Sequence, residues 1–152
     1  MKSYYAARIA NATPAQLVAI TYELTLDYID DALKAAANLA VFEQNIKKAM
    51  DCVENLMDAL DMSYDISEHL LELYVYVDRQ LVDAKLTGKP EPLLNAKKVF
   101  ESMLEAWNFA AKEVGGGEAA MENSEQVYAG LTYEKGELSE FIDEKTNRGY
   151  RV

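Results

Sequence analysis

The stretch that decides the fold is Thr13-Pro14-Ala15-Gln16-Leu17-Val18-Ala19-Ile20, where the first long helix is predicted to start. The Thr13 hydroxyl can accept a hydrogen bond from an unpaired amide of the first turn. Pro14 suits the first helical position, where its missing N–H costs nothing, and Gln16 completes a capping box with Thr13. Apolar residues then recur in two adjacent stripes: Leu17, Ile20, Leu24 and Tyr28, and Val18, Tyr22, Leu26, Ile29 and Leu33. So wide an apolar face predicts a central helix of a bundle.

Three further helices are predicted after the first, because apolar residues continue to recur every three or four positions. Asp65 with Glu68 predicts a second capping box, and Gly88 suits a helix C-cap. The predicted helix bounds are 42–60, 65–86 and 91–114. Four long helices with short links predict an all-α, antiparallel bundle.

In each of the last two helices, the spacing of the apolar residues predicts a buried stripe. In the fourth helix, Trp107 is the largest candidate anchor for the core. The stripe of the third helix is Ile66, Leu70, Leu73, Tyr74, Val77, Leu81 and Ala84. The stripe of the fourth is Leu94, Val99, Phe100, Met103, Trp107, Ala110, Ala111 and Val114.

The two ends of the chain differ from the bundle. Residues 1–12 predict an irregular, extended lead, in which Tyr4, Tyr5 and Ile9 have no helical stripe of their own and either stay exposed or pack on the bundle. Three successive glycines at 115–117 predict a flexible joint. The remainder, with eight acidic and four basic residues in 115–152, predicts a partly ordered acidic tail. The predicted division is therefore a bundle over 1–114 and a Gly-linked tail over 115–152.

Composition restricts the classes of partner and the compartment. The chain has 152 residues, half of them hydrophobic, and a net charge of -11. Such an acidic surface argues against nucleic-acid binding and against anionic membranes. The one cysteine excludes an internal disulfide, and no apolar run approaches the roughly 18 residues that span a bilayer. With no secretory signal in the first residues, we expect a cytoplasmic protein.

No pattern in the sequence predicts an enzyme, a metal site or a cofactor. A di-iron site in a bundle needs Glu-x-x-His on two helices, but His69 is the one histidine and Ile66 lies three residues before it. Cys52 has no histidine near it in sequence and an acidic neighbour, so we expect a buried structural cysteine. A small-ligand or metal-binding bundle is accordingly disfavoured.

Tyrosines and a widened third helix are the better candidates for function. Leu71, Tyr74, Val75 and Val82 broaden the apolar surface of that helix beyond one stripe. Tyr22 adds amphipathic contact area on the first long helix. Such a surplus indicates either more core or an exposed groove for a partner helix, and the residues alone leave both open.

Several segments of the chain form an ordered set of motifs. They are Tyr5, Asn11-Ala12-Thr13-Pro14-Ala15-Gln16-Leu17, Ile20-Thr21-Tyr22, Leu26-Asp27-Tyr28-Ile29, Leu56-Met57-Asp58-Ala59-Leu60-Asp61, Tyr74 to Ala84, and Trp107. In this order they resemble the FliS family of flagellin export chaperones, which has a tyrosine-bearing lead, a proline-containing helix start, and tyrosine and tryptophan motifs in later helices. The chain departs from the family at Val75, where an Asp is common, and after Gly117, where the family core has no counterpart.

The resemblance implies a cytoplasmic chaperone that holds the C-terminal helices of flagellin in hydrophobic grooves. It would prevent premature polymerisation and assist delivery to the flagellar type III export apparatus, with export-gate components as further partners. It also implies that Tyr4, Tyr5 and Ile9 cover part of the groove in the free protein. The predicted partner-binding residues are Tyr4, Tyr5, Ile9, Tyr22, Leu71, Tyr74, Val75 and Val82. The alternative is a structural or regulatory bundle that self-associates, for instance as a homodimer.

Overall fold

A computed structural model describes residues 3–114, and these residues form five helices. The helices are α1 (Ser3–Ala10), α2 (Pro14–Lys34), α3 (Leu39–Asp58), α4 (Asp65–Thr87) and α5 (Glu91–Val114). Over these residues the structure contains no strand. The predicted all-α fold is confirmed.

The four long helices close into one antiparallel bundle. α2 packs against α3, α3 against α4 and α4 against α5, and α5 returns to pack against α2. The links at 35–38, 59–64 and 88–90 are short, which places successive helices side by side in opposite directions. α1 packs against α2. The core therefore lies along the axis of the bundle, with one face of each long helix inside.

The start of α2 is the one predicted from the sequence. The Gln16 amide donates to the Thr13 hydroxyl oxygen at 3.2 Å, and the Thr13 amide donates to the Gln16 side-chain carbonyl at 2.9 Å. Pro14 occupies the first position of the helix. This reciprocal pair satisfies two of the amides that a helix start leaves open, so the chain turns sharply here between α1 and α2.

The extended lead predicted for residues 1–12 is wrong, because Ser3–Ala10 is a helix. Tyr5, Ile9 and Ala12 recur at a spacing of four and three residues and are all buried. The four-residue spacing places Tyr5 and Ile9 on one face of α1, and Ala12 follows the helix in the link to α2. α1 is too short to be stable alone, so its packing on the bundle holds it in place.

The two ends of α4 gave one wrong prediction and one confirmed prediction. Asp65 and Glu68 do not form a capping box: Tyr64 is the N-cap residue, and its side chain makes no capping hydrogen bond. Ser67 is buried, and its hydroxyl donates to the Asp61 backbone carbonyl at 2.6 Å. At the other end Gly88 has φ 71, a left-handed conformation that a glycine C-cap adopts without strain.

The core contains the predicted anchors, but three residues of the predicted buried stripes are exposed, among them Ala111 of α5. Cys52 and Trp107 are buried as predicted. Leu94 was placed in the buried stripe of α5 but is exposed, and Leu93 is buried in its place. Ile66 in the first turn of α4 is also exposed, because Ser67 takes the inward position there. The predicted glycine joint and the tail over 115–152 lie outside the described residues.

Candidate functional site

Four aromatic side chains join three of the long helices inside the bundle. The ring centroid of Tyr22 on α2 lies 6.3 Å from that of Tyr74 on α4. It lies 5.3 Å from the ring centroid of Phe100 and 6.1 Å from that of Trp107, both on α5. The contacts with Tyr74 and Trp107 are edge-to-face, the geometry that aromatic quadrupoles favour. We call these four residues the aromatic cluster. It fixes the positions of α2, α4 and α5 relative to one another.

The two tyrosine hydroxyls of the aromatic cluster bind each other. The distance between the Tyr22 and Tyr74 hydroxyl oxygens is 2.6 Å. Burial raises the pKa of Tyr22, and the hydrogen bond with Tyr74 only partly opposes that shift. The Tyr22 hydroxyl therefore stays protonated at neutral pH. Both residues were predicted to bind a partner, but in this conformation both are fully buried, which gives them a structural role in the free protein.

Trp107 also connects the end of α5 to the start of α2. Its indole N–H donates to the backbone carbonyl of Ala15 at 3.0 Å. A buried indole N–H needs an acceptor, and this carbonyl belongs to the first turn of α2, between the two capping-box residues Thr13 and Gln16. This hydrogen bond thus holds α5 against the start of α2, next to the segment that connects α1 to α2.

α1 is held by an apolar side and a polar rim. Tyr5 is 1% exposed, and its hydroxyl donates to the Asp27 carboxylate at 2.6 Å. Arg8 forms an ion pair with Glu23 at the surface, and its guanidinium lies 5.7 Å from the Tyr5 ring centroid. Ile9 is buried beside them. Of the lead residues predicted to cover a groove, Tyr5 and Ile9 do pack on the bundle, while the side chain of Tyr4 is outside the described part.

Two open grooves flank this contact. The α1 groove, with a volume of about 460 Å³, is lined by Arg8, Asn11, Ala12, Gln16, Ala19, Ile20, Glu23 and Asn108. The α2–α5 groove, of about 570 Å³, is lined by Leu26, Glu101, Leu104, Glu105, Asn108, Phe109 and Lys112. Asn108 belongs to both, so the two grooves meet there.

The lining of the α2–α5 groove combines apolar side chains (Leu26, Leu104 and Phe109) with charged ones (Glu101, Glu105 and Lys112). Phe109 is 65% exposed, a large apolar area to leave in water. Leu104 is half-buried beside it. Sequence reasoning missed both residues as surface candidates. The available signal was that Phe109 falls outside the apolar stripe of its own helix, whereas Leu104 gave no signal that separated it from core.

A second partly exposed apolar surface lies on α4. Leu71, Val75 and Val82, three of the predicted partner-binding residues, are half-buried and follow one another at helical spacing, with Asp78 between them. We call these four residues the α4 flank. Burial raises the pKa of the Asp78 carboxyl above its ordinary value. The structure thus brings together Leu71, Val75 and Val82, and it places Tyr22 and Tyr74 in the interior beneath them.

The described residues contain no group of histidine, cysteine and acidic side chains arranged to hold a metal ion. Cys52 is buried and His69 is exposed. In the same part of the chain, every helix falls short of the length and apolar character that crossing a membrane requires.

The fold and its surfaces define a class: a small all-α bundle with a packed aromatic interior and apolar surfaces that a partner helix can contact. The family follows from comparison with known proteins. The model of the family described as flagellar protein FliS matches residues 1–114, and the chain belongs to this family. FliS proteins are flagellar export chaperones. The match and α5 end at the same residue. No curated protein matches the chain.

Proposed function

We propose that this chain is a cytoplasmic export chaperone for flagellin. In this proposal it binds the C-terminal helices of flagellin on its apolar surfaces, prevents their premature polymerisation and assists delivery to the flagellar type III export apparatus. The observation that carries the proposal is the family match, which extends over the whole helical bundle. A role for export-gate components as further partners is part of the same proposal.

Partner helices would find two separate surfaces on the bundle. The α2–α5 groove offers Phe109, Leu104 and Leu26, and the α4 flank offers Leu71, Val75 and Val82. Burying apolar area contributes about 25 cal/mol per Å² before the cost of ordering a flexible client. Because that ordering costs several kcal/mol, a client that wraps around the bundle and uses both surfaces is favoured over one that uses a single surface.

In this proposal, α1 covers part of the surface that the client binds. It packs Tyr5 and Ile9 into the interior beside the α1 groove, yet it is only one short helix held by packing and a polar rim. A client helix that competes for the same side of α2 would have to displace these contacts. The proposed partner-binding role of Tyr5 and Ile9 is therefore regulatory, since they occupy part of a surface that the client needs.

Co-purification with flagellin tests the proposal. The chain should retain full-length flagellin and lose a flagellin lacking its last roughly 50 residues, a span that two helices and a link require. A flagellin truncated by the same length in its central region is the matched control and should still bind. Equal retention of the C-terminally truncated flagellin would refute binding to the C-terminal helices.

Exposed leucines at one end of the bundle favour a second candidate, a self-associating structural or regulatory bundle. Leu86 and Leu94 are 80% and 53% exposed, and both lie close to the link between α4 and α5. Leu39 is also exposed, and its side chain lies beside Gly88 at this same end. Light scattering separates the two candidates: a stable homodimer or higher oligomer that ignores flagellin supports self-association, whereas a monomer that forms a complex with flagellin supports the chaperone.

A further inference from the structure

Asp78 is an acidic residue in the middle of an apolar surface. Leu71, Val75, Asp78 and Val82 are separated by four, three and four residues, so they lie along one side of α4. All four are half-buried. The other acidic residues of α4 are exposed: Asp65, Glu68, Glu72 and Asp83. Asp78 therefore differs from them in being partly removed from water.

The α4 flank points away from α5. The Asn95 side-chain amide of α5 donates to the Gln80 side-chain carbonyl at 3.1 Å, so the Gln80 side of α4 faces α5. Asp78 precedes Gln80 by two residues, which is about 200° around a helix. The flank thus lies on the side of the buried stripe that faces away from α5. α3 is the other helix packed against α4, and the four flank residues remain only half-buried between it and solvent.

Among the described residues, the Asp78 side chain makes no hydrogen bond or ion pair. Its helical neighbours three and four residues away are Tyr74, Val75, Leu81 and Val82, which offer no charge to it. Two half-buried acids of α2 are different: Asp27 accepts from Tyr5, and Asp30 is 2.8 Å from the Lys97 ammonium. Burial without such a partner is what raises the pKa of Asp78.

We propose that the α4 flank binds an amphipathic helix of the client, and that a lysine or arginine set within the apolar stripe of that helix pairs with Asp78. This inference rests on the chaperone function proposed above. The methylene stem of a lysine or arginine can lie on Val75 and Val82 while its charged end reaches the carboxylate. Docking would exclude water from the pair and strengthen it.

The pairing would also select between clients. A helix with a wholly aliphatic stripe would bury the Asp78 carboxylate without a partner, which is unfavourable. A second copy of this chain docking through the same flank would bring two Asp78 carboxylates into one symmetric interface, and like charges oppose that arrangement. A basic residue on the client helix is the occupant that the charge of the flank fits.

The chain itself contains one competing sequence. Leu138, Phe141, Ile142 and Lys145 have the spacing of an apolar stripe that includes one basic residue. The experiment must therefore distinguish a client helix from residues 138–145 of the same chain.

Flagellin affinity of the full chain, measured by titration calorimetry, tests the pairing. Asp78→Asn keeps the size of the side chain and removes its charge, and it should weaken flagellin binding by about thirty-fold or more, the cost of removing one member of a buried charge pair. Asp83→Asn, at an exposed acid of the same helix, is the matched control and should stay within about twofold. Circular dichroism melts of both variants check that the fold is kept.

A charge exchange identifies the partner residue. Asp78→Lys should lose binding, and replacing one lysine or arginine in the C-terminal helices of flagellin by glutamate should restore it. If the unaltered chain binds flagellin and Asp78→Asn binds it equally well, the pairing is refuted while the chaperone function stands. If the unaltered chain does not bind flagellin, the proposed function itself fails. Stronger binding by both Asp78→Asn and Lys145→Ala would overturn the inference by assigning the flank to residues 138–145.

Discussion

Consecutive residues on the two sides of α4 differ in burial. Tyr74 is fully buried in the aromatic cluster, while Val75, the next residue, is half-exposed on the α4 flank. The polar groups differ too. On the inner side the Tyr74 hydroxyl binds Tyr22 and the Ser67 hydroxyl binds a carbonyl of the preceding link, whereas on the outer side Asp78 has no such partner among the described residues.

This difference shows how one helix can serve both the framework and a binding surface. The buried hydroxyls of α4, on Tyr74 and Ser67, are both paired, and an unpaired buried group would cost stability. A half-buried charge without a partner is costly in the free protein and becomes favourable only when something else supplies the opposite charge. A rotation of about 100°, one residue along the helix, separates the two kinds of position.

The largest expected effect comes from removing an inner side chain and comparing it with its outer neighbour. Tyr74→Ala should lower the free energy of unfolding by about 3–5 kcal/mol, because it leaves a cavity in the aromatic cluster. Val75→Ala should lower it by less than about 1 kcal/mol. Urea denaturation measures both. Similar losses at the two positions would break the distinction between the two sides of α4.

Next in size is the hydrogen bond between the two buried tyrosines. Tyr22→Phe and Tyr74→Phe should each lower the free energy of unfolding by about 1 kcal/mol. The double variant should lose less than the sum of the two, because both remove the same interaction. A double-mutant cycle in urea gives the coupling. Strict additivity would show that the 2.6 Å contact contributes nothing to stability.

α1 offers a second comparison between a buried polar contact and an exposed one. Tyr5→Phe removes the donor to Asp27 and keeps the buried ring, so it should weaken the packing of α1 by about 1 kcal/mol. Arg8→Ala removes an exposed ion pair and should change it by less than about 0.5 kcal/mol. Hydrogen exchange of the α1 amides measures both. A larger effect for Arg8 would mean that the rim, and not the buried ring, holds α1.

The smallest effect concerns the charge of the α4 flank in the free protein. Because burial raises the pKa of Asp78, its protonated form favours the folded state and its charged form opposes it. Asp78→Asn should therefore raise the melting temperature slightly at neutral pH. The gain should shrink as pH falls through the raised pKa and vanish below the ordinary value of 3.8. A lower melting temperature for the variant at pH 7 would show that the carboxylate already has a stabilising partner.

Local signals in the sequence predicted the framework well. The capping box at Thr13, the glycine C-cap at Gly88 and the burial of Trp107 depend on residues close together in sequence or on a strong helical stripe. The helix over Ser3–Ala10 was not predicted because one apolar pair four residues apart, Tyr5 and Ile9, is too short a pattern to indicate a helix. So short a helix depends on its packing against the bundle.

Surfaces were harder to predict, for a physical reason. Core and groove residues have the same chemistry and the same spacing, so the stripe that contains Leu71 and Val75 looked like the one that contains Tyr74. Only the way in which α3 and α5 pack against α4 separates them. Asp65 and Glu68 failed as a capping box for a related reason: the inward turn of Ser67 depends on a contact with the preceding link, which spacing alone does not show.

The indole of Trp107 has a practical consequence. It is the one tryptophan of the chain, it is buried against Tyr22, and its N–H is fixed to Ala15 in the first turn of α2. Indole emission shifts in wavelength when water or a new neighbour reaches the ring, so ultraviolet excitation of the unmodified protein observes the junction of α1, α2 and α5 directly. The molecule thus contains its own optical probe for the arrival of a client, and no label has to be attached.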